Sequence, residues 1–586
     1  MCGIVGYFGD KKASQIILDG LAKLEYRGYD SSGLAILNEN GVECRKYKGK
    51  LANLKKSIDE SDILGNIGIG HTRWATHGSP SDINSHPQFD TNKNIFVVHN
   101  GIIENYRDLK KELEEDGVKF ISSTDTEVIA QLISKYYLDD LKKAVEKAVS
   151  RLRGSYALAI ICKDKKELIA VRNESPLILG IGNGEYFLAS DIPAILNYTR
   201  KVVYLENGNL VHIKNGNYEI FDKNGNKIHL DIDEIKWDIS VSEKEGYEFF
   251  MEKEIHEQTY VVSQTIEKSL LNLENIHIDF NKIDKIYFVA CGTAYNAATI
   301  GKMYFEDFLN KPCYTEIASE FRYNKQFIDE KTLVVVVSQS GETADTLAAV
   351  NLAKKHNCKI LAITNVVGSS IARQSDYVFY TFAGPEIAVA STKAYTTQII
   401  ALYLIAKYFS SSDYEKVKLA SIKISKYIEE VLKKSESIKA IAKDLVSAKD
   451  IFYLGRAQDY YLANEGALKL KEISYIHAES FAAGELKHGT IALIEKNTPV
   501  IALLTCEPLY EKMISNIQEV KSRGAKVITI TNNEKYDASV IIPKIDKYLS
   551  PILAVIPLQL LAYYVAYFKG YDVDKPRNLA KSVTVE

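Results

Sequence analysis

This 586-residue chain shows no disulfide framework and no large charge excess of either sign, and its first residues do not read as a leader segment. Its seven cysteines, at 2, 44, 162, 291, 313, 358 and 506, form no CxxC pair, as expected for a reducing cytoplasm. Lys plus Arg number 73 against 76 Asp plus Glu, so neither a nucleic-acid stripe nor an acidic tail is expected. The first residues lack the basic stretch, long apolar core and cleavage site of a signal peptide. No GxxxxGK(S/T) loop occurs, which argues against an NTPase. One apolar run is long, at 552–568, but it is about one turn short of a comfortable membrane span and contains Pro557 and Gln559. It reads as a buried helix, with no membrane partner.

Apolar residues make up 46% of the chain, ample for real cores, and the length suggests three or four domains. To about residue 239 the pattern is strand-rich α+β. Short apolar runs at 33–37, 94–100, 156–162 and 186–190 alternate with turns and polar helices. Asn-Gly pairs at 207–208, 215–216 and 224–225 signal hairpins. Residues 237–246 read as a polar linker, and a charged helical pattern starts at Tyr247. The character then changes. Apolar strands within 285–294, 332–347, 359–365 and 377–384 alternate with helices, and the plan restarts within 450–458, 498–506 and 525–532. That predicts parallel sheets covered on both faces. ASEF at 318–321 is echoed by AESF at 478–481, and FVACGTA at 288–294 by FYLGRAQ at 452–458. These echoes predict two diverged copies of a doubly wound domain, joined by a helical stretch over roughly 412–446.

Chemistry begins at residue 2. Removal of Met1 would leave Cys2 with both a thiol nucleophile and a free α-amine as its base, two groups that titrate within about one pH unit of each other. Three later segments could surround it: His71-Thr72-Arg73-Trp74-Ala75-Thr76-His77-Gly78, Val98-His99-Asn100-Gly101 and Ser123-Thr124-Asp125-Thr126-Glu127. Each alone has a plainer reading. Arg73 could be a surface residue, Asn100-Gly101 a hairpin turn, and Thr124-Asp125 a helix cap helped by Glu127. His71, His77, His86 and His99 invite a metal reading, but their spacing fits no usual zinc pattern and no Cys partners them.

In the second part, Ser338-Gln339-Ser340-Gly341-Glu342-Thr343 leaves a buried strand and enters a helix. Its hydroxyls and N–H groups suit one phosphate monoester; the plainer reading is a helix cap with extra serines. Cys291-Gly292-Thr293-Ala294 and Val389-Ala390-Ser391-Thr392 are further loops of the kind that bind ligands at strand C-termini. Glu465, Lys469 and Glu472 share one helix face, either a solvated stripe or, given the small residues around them, a packed one. His488 follows on a loop between Gly484 and Gly489. Lys581 lies in an uncharged, β-prone tail, which favours order over fraying.

The segments around Cys2, with CGIVGY at the start and LEYRGYDSSG at 24–33, resemble the glutaminase domain of the N-terminal-nucleophile amidotransferases. SQSGETADTL, EIAVASTKAYTTQ, EGALKLKEISYIHAE, GELKHG and PRNLAKSVTVE resemble the paired sugar isomerase (SIS) domains of the glutamine–fructose-6-phosphate aminotransferases (isomerizing). The match spans essentially the whole chain. It implies an α+β N-terminal-nucleophile (αββα) glutaminase domain at 1–239. A linker and a first α/β doubly wound parallel-sheet SIS domain follow at 240–430, a second at 431–570, and a C-terminal active-site tail at 571–586.

The same resemblance implies roles. Cys2 attacks the side-chain amide of L-glutamine, with the Asn100 side chain and the Gly101 N–H as oxyanion hole. Arg73 holds the glutamine carboxylate and Asp125 its ammonium, while Trp74, Thr76 and His77 line and close the pocket. Ser338, Gln339, Ser340 and Thr343 bind the phosphate of fructose 6-phosphate, and Thr293, Val389 and Ser391 contact the sugar. Ala294 stands where the family usually has Ser. Lys581 forms a Schiff base with the ketose, Glu472 moves a proton between C1 and C2, Lys469 supports its charge, and His488 assists ring opening from the neighbouring subunit of a homodimer. No cofactor and no metal is expected, and ammonia is expected to travel through a buried channel. Rival readings are a sugar-phosphate sensor, another amidotransferase such as a phosphoribosyl transferase or an asparagine synthetase, and a deaminating variant.

Overall fold

The computed structural model describes residues 2–25, 28–235, 244–411, 413–536 and 538–584. Met1 and most of the expected linker, 237–243, lie outside the described residues. Contacts divide the chain into two compact units, Met1–Val241 with Ala580–Glu586, and Ser242–Leu579.

The first unit is built on two antiparallel sheets. In one, Gly3–Phe8 runs between Ile67–Arg73 and Tyr186–Ala189. In the other, Ile95–Ile103 runs between Gln88–Phe89 and Gly154–Cys162. Strand side chains alternate between faces, and both faces here are apolar, so each sheet is covered twice. Val5 and Tyr7 pack with the helix Ala13–Leu24, whereas Ile4 and Phe8 join a cluster with Phe96, Val98, Ala157 and Ala159 of the opposing sheet. Ile95 and Val97 turn the other way, toward Val128, Ile129 and Leu132 of the helix Thr126–Tyr136. The layers are therefore helix, sheet, sheet, helix, the expected αββα order. Asn215-Gly216 makes the expected two-residue hairpin, with φ of +53° and +70° joining Leu210–Lys214 to Asn217–Phe221. Asn207-Gly208 does not make a hairpin. It carries the chain from Lys201–Tyr204 in one sheet to Leu210–Lys214 in the other.

The second unit holds two five-stranded parallel sheets. The first is ordered Cys313–Ile317, Lys285–Ala290, Thr332–Ser338, Lys359–Thr364, Tyr377–Tyr380; the second His477–Ala482, Asp450–Gly455, Pro499–Leu504, Lys526–Thr531, Val540–Ile541. Both follow the order 2-1-3-4-5, whose switch point lies between the first and third strands. The duplication is real in topology, but the sequence echoes are out of register. Strand pairing sets Cys313 equivalent to Ala478, because each faces the second residue of its sheet's first strand. ASEF therefore forms a helical turn after the strand, while AESF lies inside one. The connecting stretch resolves into three helices, Tyr414–Ile422, Ile424–Leu432 and Ser435–Lys443. Ser550–Phe568 is the one described helix long and apolar enough to cross a membrane, and 89% of that stretch is buried. It packs on Gln458–Ser474 and Ser435–Lys443.

Candidate active sites

In the first unit, two segments reach Cys2, which immediately precedes the strand Gly3–Phe8. Pairing of Gly3 with Thr72 sets the end of Ile67–Arg73 beside it, so the Trp74 N–H donates to Cys2 Sγ at 3.3 Å. Asn100, on Ile95–Ile103, donates from Nδ2 to Cys2 O at 3.0 Å. Burial raises the Cys2 thiol pKa, while the Trp74 N–H and the Arg73 charge pull it down. The next residue must be glycine. Gly101 has φ +138°, and a Cβ there would lie 2.0 Å from Ser155 O.

Arg73 is buried. Its Nη2 donates to the carbonyls of His77 and Gly78, and its Nη1 has no hydrogen-bond partner. A buried guanidinium edge left open is the donor set that a carboxylate satisfies. Asp125 does not cap its helix as a side chain. Its Oδ2 accepts from Ile103 N at 2.9 Å, and the cap is Thr124, whose Oγ1 accepts from Glu127 N. Glu127 reaches back to the N–H groups of Ile121 and Ser122. Trp74 is edge-on to Tyr29, His77 is edge-on to Tyr106, and Thr76 is exposed. Asp30 was not expected here. It accepts from Ala75 N at 2.9 Å and holds the turn after Arg73; its only sequence signal is membership of LEYRGYDSSG.

In the second unit, Cys291–Ala294 and Ser338–Thr343 follow the two strands that flank the switch point of the first sheet. Gly341 N donates to Ser338 Oγ at 3.1 Å, and the Ser338 and Thr343 hydroxyls share a bond of 3.1 Å. Glu342 N donates to Ser340 Oγ, and Gln339 O accepts from Asn365 N. Gly341 turns the loop at φ +65°, and the helix Ala344–Lys355 follows. Val389 N donates to Asp574 O, and Ser391 Oγ donates to Glu386 Oε2.

The charged helix face is packed, not solvated. Lys469 Nζ lies 2.6 Å from Glu472 Oε2 and 3.5 Å from Glu465 Oε1, and the Lys469 and Glu465 side chains are 1% and 0% exposed. Glu465 also accepts from Thr293 Oγ1 at 3.1 Å and Asn296 Nδ2 at 2.8 Å. Burial pushes the Glu465 carboxyl above its ordinary range, against the pull of Lys469. Burial alone would lower Lys469; the Glu472 and Glu465 charges outweigh it and hold the ammonium. Glu465 is singled out in the sequence without a role, and Asn296 is not singled out. The first was visible by helical spacing; the second carried no signal. His488 is exposed on a short 3-10 turn, and among the described residues no ion pair joins it to Lys469 or Glu472. Lys581 is half-buried, and the residues from Ala580 onward group with the first unit rather than with Glu472. No group of three or more His, Cys, Asp or Glu among the described residues could hold a metal ion.

Residues 71–197 match the family profile of the glutamine amidotransferase domain, and residues 279–408 and 444–569 each match that of the SIS domain. Relatives named glutamine–fructose-6-phosphate aminotransferase (isomerizing) align over 100% of both chains. Those from Caldanaerobacter subterraneus subsp. tengcongensis, Clostridium perfringens and Thermococcus kodakarensis are 53%, 51% and 48% identical. Among solved structures, the C-terminal domain of glucosamine-fructose-6-phosphate aminotransferase from Francisella tularensis has a TM-score of 0.54 at 42% identity, covering 57% of this chain and 100% of that one.

Proposed function

The chain belongs to the glutamine–fructose-6-phosphate aminotransferase (isomerizing) family, and from that premise we propose how its residues divide the work. It is a glutamine-dependent amidotransferase acting on fructose 6-phosphate. In the first unit, Cys2 Sγ attacks the glutamine side-chain carbon, with the α-amine exposed on loss of Met1 taking the thiol proton. The oxyanion is met by Asn100 Nδ2 and the Gly101 N–H, a pair worth a few kcal/mol in the transition state, roughly as in other oxyanion holes. Ammonia leaves, and water releases glutamate from the thioester. Arg73 takes the α-carboxylate and Asp125 the α-ammonium, while Trp74, Thr76 and His77 form the rim.

In the second unit, Ser338, Gln339, Ser340 and Thr343 hold the phosphate, and Thr293, Val389 and Ser391 hold the sugar. Lys581, from the C-terminal tail, opens the ketose as a Schiff base with loss of water, ammonia displaces the lysine amine at C2, and Glu472 carries the proton from C1 to C2 to give glucosamine 6-phosphate. Lys469 keeps Glu472 charged. The exposure of His488 supports its service to a second subunit, and with it a homodimer through the SIS domains. Ammonia passes between the sites without entering bulk water, where it would become ammonium. Trp74 and the C-terminal tail are its caps. Membership of this family supports a metabolic enzyme of the cytoplasm that begins amino-sugar synthesis.

The observation that carries the glutaminase assignment is the Asn100 amide on the Cys2 carbonyl, beside a buried guanidinium with an open edge. Cys2→Ala should abolish release of glutamate from glutamine while sugar isomerisation stays measurable. Glutamine-dependent synthesis retained in that variant would refute the nucleophile. Sedimentation of the full chain reads the dimer. Incubation with unlabelled glutamine and labelled ammonium reads the channel, which fails if the label enters glucosamine 6-phosphate.

A further inference from the structure

We propose that His71 is a positioning residue for glutamine hydrolysis: its Nε2–H pins the Asn100 amide so that Nδ2 faces the oxyanion forming on the substrate. The proposal rests on the reading of Cys2 and Asn100 given above. His71 Nε2 lies 3.0 Å from Asn100 Oδ1 and 3.0 Å from His99 O. Both partners in this arrangement are acceptors, so Nε2 must carry the hydrogen and Nδ1 is the bare nitrogen. Nδ1 is buried and has no partner, so nothing there competes for the proton. Burial pushes the His71 pKa down to about 3, and the ring is neutral wherever the thiol can work.

That tautomer decides how Asn100 points. An amide turned by half a rotation would set its NH2 against the Nε2–H, donor to donor, and lose the bond. With Oδ1 held by His71, Nδ2 has only the Cys2 side to face, and it reaches Cys2 O at 3.0 Å. His71 belongs to Ile67–Arg73 in one sheet and Asn100 to Ile95–Ile103 in the other, so the bond ties the two sheets at the site.

The ring is itself held. Its centroid lies 4.2 Å from that of His86, whose Nδ1 accepts from the His99 N–H at 3.4 Å. The His99 ring in turn bonds through Nδ1 to Thr126 Oγ1 at 2.9 Å. His71, His86 and His99 thus form a neutral group behind an oxyanion donor. The role is geometric. His71 touches no reacting atom, so it should act on the transition state through Asn100 alone.

The test uses the full chain with His71→Phe, His71→Gln, Asn100→Ala and the double variant His71→Phe/Asn100→Ala. Removal of an oxyanion donor costs about 100- to 1,000-fold in kcat, and a mis-aimed donor should lose roughly 10- to 100-fold. We expect that fall for His71→Phe with the glutamine KM within about twofold of the parent, as for an interaction made only in the transition state. His71→Gln, which restores an N–H at similar reach, should recover most of it. The double variant should be no slower than Asn100→Ala. Binding of glutamate γ-semialdehyde, which forms a tetrahedral oxyanion on a thiolate, should weaken with kcat while L-glutamate binding stays.

Losses that multiply in the double variant would overturn the proposal, as would an unimpaired, folded His71→Phe chain beside a crippled Asn100→Ala chain. An unimpaired Asn100→Ala chain would instead overturn the oxyanion-hole reading, and this proposal with it. Should His71→Phe not fold, His71→Gln against the shorter His71→Asn carries the same comparison. Equal kcat in those two would sink the idea.

Discussion

Lys469 Nζ donates to Thr293 Oγ1 at 2.9 Å, so the helix Gln458–Ser474 after the first strand of the second parallel sheet grips the first turn of the helix Gly292–Leu309 after the first strand of the first sheet. Thr293 passes its own hydrogen to Glu465, and Lys469 also meets Glu472. The cluster holds one cation between two carboxylates, and two of the three groups are fully buried. Removing the cation leaves the buried Glu465 carboxyl without its counter-charge, so it must stay unpaired or take up a proton, and breaking a buried pair typically costs about 3–5 kcal/mol. Lys469→Met should therefore lower the melting temperature of the second unit and abolish amination. Adding Glu465→Gln should return stability without returning activity. A Lys469→Met chain as stable as the parent by calorimetry would contradict the account.

That cluster also shows where sequence reading stops. Glu465, Lys469 and Glu472 were aligned on one face by helical spacing, but spacing does not say whether the face is wet. Burial was set by Thr293 and Asn296, more than 160 residues earlier in the chain. The parallel sheets were legible because their signal is local, uninterrupted apolar strands followed by helices; the first part read only as strand-rich α+β, and its αββα order came from the resemblance. The duplication was legible as a plan but not as a register, since ASEF and AESF agree in composition while occupying different elements. Asn207-Gly208 misled because a tight turn can join two sheets as well as two paired strands. His71 was visible inside a quoted motif, yet its role depends on which nitrogen faces Asn100, a tertiary fact.

The first unit should lose stability as acid is added from neutral pH. His71, His86 and His99 are all buried, and burial lowers the pKa of each. An unfolded histidine titrates near 6.5, while folded His71 waits until about 3. Between those values the unfolded chain binds the extra proton, so stability is present in full above the unfolded pKa and drains away as pH falls through the window. At pH 5 the His71 share alone is about 2 kcal/mol. Thermal melts at pH 7.5, 6 and 5 read this directly, and a midpoint that does not move across them would exclude a neutral stack.

Asp574 should be a structural anchor for the sugar loop. Its carboxylate accepts from Phe250 N and Met251 N, both at 2.9 Å, at the start of the helix Phe250–Glu267. Its carbonyl accepts from Val389 N at 3.0 Å. Three residues on, Arg577 N donates to Tyr475 OH, and its guanidinium lies 4.1 Å from that ring. Loss of a capping carboxylate costs about 0.5–2 kcal/mol. Asp574→Ala should lower stability by that amount and raise the fructose 6-phosphate KM more than the glutamine KM. Limited proteolysis should cut the C-terminal segment sooner, and an unchanged digestion pattern would argue against the anchor.

Gly341 gives the sharpest test of the phosphate loop, because two separate constraints meet there. The backbone sits at φ +65°, where a side chain is strained. An added Cβ would also lie 2.0 Å from Ser369 Oγ and 2.9 Å from Thr364 Oγ1. Gly341→Ala should therefore push the turn outward and break its N–H bond to Ser338 Oγ, leaving the hydroxyls splayed. Charge-assisted bonds from such hydroxyls to a phosphate are worth about 1.5–3 kcal/mol each, so losing one should raise the fructose 6-phosphate KM roughly 10- to 100-fold. Glutamine hydrolysis measured without sugar should be unchanged. Adding Ser369→Gly removes the nearest clash and leaves the backbone strain, so it should recover part of the loss and not all of it. Full recovery would assign the defect to crowding alone, and none would assign it to the backbone.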